Sequence, residues 1–143
     1  MENNLTNGNA VLTKNDLNGM GKRILAVRIT NTYKPEFDNL PPRERIFKVY
    51  ECTRGCWVVN RRKAAKVDLV IGVYNGVVKG VFIPEVWLDA HSTMNSVLAE
   101  EDINAERSEF VGREARDQFA KDLLGRQVDF TTDEPNPVAY FGF

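Results

Sequence analysis

"VDLVIGVYNGVVKGVF", Val67 to Phe82, consists of two β-rich runs placed around Asn75-Gly76. Both turn residues tolerate positive φ, so the pair predicts a two-residue hairpin loop joining two antiparallel strands. With that loop length Tyr74 faces Val77 and Gly72 faces Lys79. Pro84 then stops the second strand, and "PEVWLDA", Pro84 to Ala90, reads as a short helix whose Val86 and Trp87 pack back on the sheet.

Upstream, "KRILAVRIT" carries Leu25, Val27 and Ile29 on one face and Arg28 on the other, the period of two of a half-buried strand. The segment that follows, "NTYKPEFDNLPPRE", holds three prolines and two asparagines and reads as a loop. Downstream, Arg107 to Val111 reads as a short strand and Gly112 as the joint into a helix. On that helix Ala115, Phe119, Ala120, Leu123 and Leu124 form one apolar stripe, closed by Gly125 as the residue after the C-cap. At the end of the chain, Pro137 restricts Asn136 to an extended conformation, and "VAYF" supplies a last strand. The expectation is an α+β fold: a small mixed sheet with a central Asn-Gly hairpin and one main C-terminal helix packed on it.

A chain of 143 residues with 43% apolar content fits one domain with one core. The Asn- and Gly-rich start, residues 1–21, reads as a mobile N-terminal arm without the basic and apolar blocks of a signal peptide, and residues 22–143 as a single domain. The most apolar stretch, Leu69 to Trp87, is broken by Asn75, Lys79, Pro84 and Glu85 and falls short of a membrane span. Nineteen Lys plus Arg against twenty Asp plus Glu give a net charge of −1, so there is no global field to hold a nucleic-acid duplex. Recognition of an anion must therefore be local.

Three local readings compete in "ECTRGCWVVNRRKAAK", Glu51 to Lys66: a metal site on its cysteines, a nucleic-acid patch on its basic run, or a pocket for something anionic. Cys52 and Cys56 are the only cysteines. On a strand their spacing puts them about 13 Å apart, beyond disulfide reach. A structural zinc site would need two further ligands, and only His91 and carboxylates are available; the alternative is a pair of small buried thiols in a reducing compartment. In "NRRKAAK" a helical turn projects Arg61, Arg62, Lys63 and Lys66 outward, as a solvated helix face or as a patch that would need exposed aromatics around it.

Arg113 and Arg116 fall in the first turn of the expected C-terminal helix, where positive charge works against the dipole unless an anion is bound. The competing reading is an i, i+4 pair between Arg113 and Asp117 on a solvated face. No phosphate-binding GxxxxGK[ST] loop, no GxGxxG and no second histidine are present. The lone His91 lies in a polar loop with no nucleophile motif near it, which points to binding without turnover.

The succession "YECTRGCWVV", the Asn-Gly hairpin, the tryptophan of "PEVW", "RSEFVGREA", "LLGRQV" and "NPVAYF" resembles a small domain of phages and bacteria, the Thoeris anti-defence protein one family, and a related domain appended to some GIY-YIG nucleases. The resemblance runs from about Lys22 to the end and rests on motif order and spacing. It implies an α+β, non-enzymatic sponge, with no cofactor, acting in the cytoplasm of an infected bacterial host. Members sequester cyclic ADP-ribose isomers made by immune TIR-domain enzymes, and some also hold cyclic oligonucleotides. It further implies homodimers or higher homo-oligomers with the nucleotide near the subunit interface. The matching ligand positions are Arg107, Phe110, Arg113 and Asn136, joined by Arg116, with Arg54 either a second phosphate ligand or a structural arginine. Phe110 would stack on a base and Arg113 would meet a phosphate. The alternative function is a nucleic-acid-binding or nuclease-accessory module, which demands a salt-sensitive basic surface.

Overall fold

In the computed structural model, which describes residues 10–97, 106–129 and 137–143, β2 (Leu69–Tyr74) turns into β3 (Val77–Asp89) at Asn75 and Gly76. Their φ values of 50° and 76° are the left-handed conformations that this tight loop demands. Tyr74 pairs with Val77, but Gly72 lies opposite Gly80 instead of Lys79, because the ladder shifts by one residue between Gly72 and Val73. That shift inverts the alternation of β3. Val78 and Val81 thereby enter the same apolar cluster while Phe82 enters the opposite one.

Pro84 does not end β3. The strand runs on to Asp89, and the expected Pro84-to-Ala90 helix is instead strand paired with β4 (Ser108–Glu114). Pro84 is tolerated because it sits at a second register shift, between Pro84 and Val86, where the ladder is already interrupted. Gly112 lies opposite Pro84 inside β4, so it is not a joint into a helix. A Cβ at Gly112 would come 2.0 Å from the carbonyl oxygen of Ile83, which only glycine avoids.

The sheet has five strands in the order β4-β3-β2-β1-β5. β1 (Ile24–Arg28) runs parallel to β2 and antiparallel to β5 (Val138–Phe141). The half-buried reading of β1 gives way to burial on both faces. Leu25 and Val27 enter one cluster and Ile24 and Ala26 the other, since β1 is flanked by strands and covered above and below.

One covering layer is α2 (Pro42–Arg54), 13 residues long, which begins inside the segment expected to be loop. Pro42 occupies its first turn, where a missing N–H costs nothing. A 3-10 helix, Pro35–Asn39, precedes it and buries Phe37. The main helix is therefore α2, not a C-terminal one. After the four-residue α3 (Arg61–Ala64) and strands β2 to β4, the C-terminal helix α4 spans only Gln118–Leu123, capped by Asp117, whose Oδ1 accepts from the Ala120 N–H at 2.9 Å. It starts six residues later than the expected joint because β4 continues through Glu114.

The opposite face is covered by α4 and by α1 (Lys14–Asn18). The second half of the expected N-terminal arm is thus docked. Leu12 pairs with Val128 and is fully buried, as is Leu17 on α1, and Thr13 and Asp16 close a reciprocal capping box. Two apolar anchors in a polar segment outweigh its Asn/Gly composition. Among the described residues no helix is long and apolar enough to cross a membrane.

Gly112→Ala should destabilise the protein by about 1–3 kcal/mol, the usual range for overpacking. Chemical denaturation reads this as a lowered midpoint, and a midpoint equal to the parent's would mean that β3 and β4 separate freely at Pro84.

Candidate functional site

Glu51 and Arg54 lie three residues apart on the last turn of α2, so they share a face of the helix. Arg54 Nε donates to Glu51 Oε2 at 2.5 Å, and Nη1 donates to Glu109 Oε2 on β4 at 2.9 Å and to Thr93 Oγ1 at 2.6 Å. Nη2 donates to the carbonyl of Met94. The residue is 4% exposed. Burial alone would pull its guanidinium down, but the bonds and charges of Glu51 and Glu109 outweigh this and hold it above its ordinary value.

Both carboxylates are occupied on their other sides as well. Glu109 Oε1 accepts from the Ser92 N–H at 3.1 Å, and its Oε2 from the Thr93 hydroxyl. Glu51 Oε1 accepts from the Ser96 N–H at 3.3 Å, and the Glu51 carbonyl from the Asn95 amide at 2.8 Å. Arg54 therefore fastens the 91–97 loop to α2 and β4. Of the two roles open to it, these contacts are those of a structural arginine. Trp57 closes the floor beside it: its indole N–H donates to the Thr53 carbonyl at 2.7 Å, and its backbone pairs with Ser108.

Phe110 is fully buried, packed between Trp87 and Tyr50 at centroid distances of 5.2 and 6.1 Å. A core ring offers no face to a base, which corrects the stacking role expected of it. The alternation of β4 sends Phe110 inward among the residues under α2. Arg107 is exposed, with Nη1 donating to the Cys56 carbonyl at 3.3 Å. Asn136 lies outside the described residues.

Arg113 sits on strand β4 and Arg116 in the turn before α4, so neither occupies a helix first turn. The expected i, i+4 partner of Arg113 is also replaced. Arg113 faces Glu85 at 3.7 Å and Arg116 faces Glu114 at 3.4 Å, with the arginine side chains 69% and 81% exposed. Pairs this open hold their cations weakly. Arg116 and Lys121 border a hollow of about 60 Å³ floored by Ile46, Val81, Ala115 and Leu124. Six residues of strand separate Arg107 from Arg113, about 20 Å, so the two do not meet on one small anion within one copy.

Cys52 and Cys56 are both free and buried. Burial pushes the Cys52 thiol up to about 11 and raises Cys56 as well. Among the described residues no group of three or more His, Cys, Asp and Glu side chains is arranged to hold a metal ion.

What the sequence reading missed are the acids Glu51 and Glu109 and the hydroxyl of Thr93. The Glu51–Arg54 spacing was a usable signal only once α2 is recognised as a helix. Comparison with protein families, with curated proteins and with solved structures returns no match.

Arg54→Ala leaves two buried carboxylates uncompensated and should cost about 3–5 kcal/mol, read as a large fall in melting temperature. Arg54→Lys should restore little, because an ammonium cannot reproduce the guanidinium fork; a variant melting like the parent would remove the network from the stability of the fold. In alkylation followed by mass spectrometry, both thiols should resist iodoacetamide at pH 8 in the native protein and react in denaturant.

Proposed function

We propose that this chain is a sponge: it binds a cyclic ADP-ribose isomer or a related cyclic nucleotide and holds it without cleaving it, so inhibiting bacterial anti-phage signalling. The observation that supports this reading is Arg116, exposed and weakly held, lining with Lys121 and Glu114 the largely apolar hollow between β4 and α4, with the equally exposed Arg113 three residues before it on β4. A pyrophosphate calls for charge-assisted donors, and guanidinium groups supply them in a fork suited to phosphate oxygens. A base calls for an apolar surface next to those charges. Arginine stays protonated in proteins, so it binds the phosphates but does not act as a proton-transfer catalyst.

The hollow is far smaller than a nucleotide, for which pockets of about 300 Å³ or more are usual. In this reading a second copy of the chain covers the ligand, in a homodimer or higher homo-oligomer, and Arg107 at the far end of β4 reaches the same ligand only across that boundary. Arg54 and Phe110 contribute from beneath: the first fixes β4 to α2 through Glu109, the second packs the inner face of β4.

Protein incubated with cyclic ADP-ribose isomers, washed and heated should release the input compound intact by mass spectrometry. Recovery of linear ADP-ribose or AMP would overturn the sponge. In calorimetric titration Arg113→Ala and Arg116→Ala should each weaken binding at least about tenfold, a loss of about 1.4 kcal/mol, with the melting temperature unchanged. Parent-like affinity in both would move the site away from the β4–α4 hollow.

A further inference from the structure

The basic run on α3 does not stand alone. Arg61 reaches across to β3 and β4, donating to Ser108 Oγ at 2.7 Å, to the Trp87 carbonyl at 3.1 Å and to Asp89 Oδ1 at 2.8 Å. Lys63 reaches a different surface. Lys63 Nζ lies 5.2 Å from the Tyr140 ring centroid and 5.8 Å from that of Phe143, and the Arg23 guanidinium lies 5.9 Å from Phe143. The two rings meet edge to face at 5.7 Å, and the Tyr140 hydroxyl is fixed by accepting from the Asn60 N–H at 2.9 Å. Arg23, Arg62 and Lys63 are exposed, Phe143 is 51% exposed, and among the described residues none of these three cations forms an ion pair.

We propose that this face, formed by α3, the start of β1 and the end of β5, binds single-stranded nucleic acid. A chain that is neutral overall carries here a local cluster of cations interleaved with aromatic rings, the combination that takes a strand by stacking its bases and neutralising its phosphates. A nucleotide offers a flat π-face and an anion on the same unit. An acidic peptide offers the anions without the flat faces, and a duplex keeps its bases stacked inside. The exposed cation–ring contacts are weak enough to exchange for phosphate while holding Lys63 and Arg23 over the surface. The face belongs to the β5 side of the sheet and the Arg113–Arg116 hollow to the β4 side, so the proposal is independent of the nucleotide-sponge reading.

Fluorescence anisotropy with a labelled short oligothymidylate tests it on the full chain. Binding should weaken about 20-fold between about 50 and 200 mM salt, the response of roughly three phosphate contacts on a single strand. Lys63→Ala should weaken binding and reduce that salt response to about sevenfold. Phe143→Ala should weaken binding at least about fivefold through lost stacking. Lys63 is a surface residue, so its variant keeps the test decisive should Phe143→Ala melt earlier than the parent. No anisotropy change at the lower salt would overturn the proposal, as would parent-like affinity in both variants. Equal competition by polyglutamate or by a duplex would also overturn it, since neither presents unstacked bases.

Discussion

The Arg54 guanidinium is the point on which the upper half of this structure depends. It joins the last turn of α2 to the edge strand β4 through Glu51 and Glu109, and it draws in the 91–97 loop through Thr93 and Met94. The charges are nearly inaccessible to water, so each carboxylate needs the arginine and the arginine needs both. β4 has β3 on one side only, and its other edge is held by the Trp57 bridge at Ser108 and by the Tyr50 hydroxyl, which accepts from the Gly112 N–H. The contacts from α2 and the segment after it therefore settle where β4 lies, and with it where Arg107 and Arg113 point.

Beneath this polar clamp the two register shifts of β3 do the sorting. Each inserts one residue and so exchanges the faces of everything that follows. The first puts Val78 on the face of Val81 and away from Phe82, and the second places Trp87 in the cluster opposite to Ile83. A regular strand of the same sequence would have put Phe82 and Trp87, five residues apart, on opposite faces of the sheet, so only one of them could have reached α2. The aromatic packing of Tyr50, Phe82, Trp87 and Phe110 under that helix is a consequence.

The surface is organised by the same framework. Burial removes Arg54 from the surface, and two of the exposed cation groups lie at opposite sides of the sheet. Arg116 lines a largely apolar hollow at β4 and α4, and Arg113 lies exposed on β4. Arg23 and Lys63 lie over the Tyr140 and Phe143 rings at β5. A net charge near zero hides this separation, because charge counted along a chain carries no information about which face each group reaches.

The sequence alone determined the pieces whose signals are local. Asn75-Gly76 marked its own turn, because only residues that accept positive φ fit it. The alternation in "KRILAVRIT" marked β1, and "NRRKAAK" marked α3. The tertiary structure decided the rest. Pro84 stays in a strand because its missing N–H falls at a register shift, and Pro42 opens a helix instead of breaking one. Leu12 and Leu17 are tied down by a bridge to Val128 and by an apolar face that lie far away in the chain. Phe110 became core and Arg54 became a clamp because Trp87, Tyr50, Glu109 and Thr93 converge on them from four separate segments. Whether a phenylalanine or an arginine serves a ligand or the fold depends on what surrounds it in space, and only the packing of distant segments sets that.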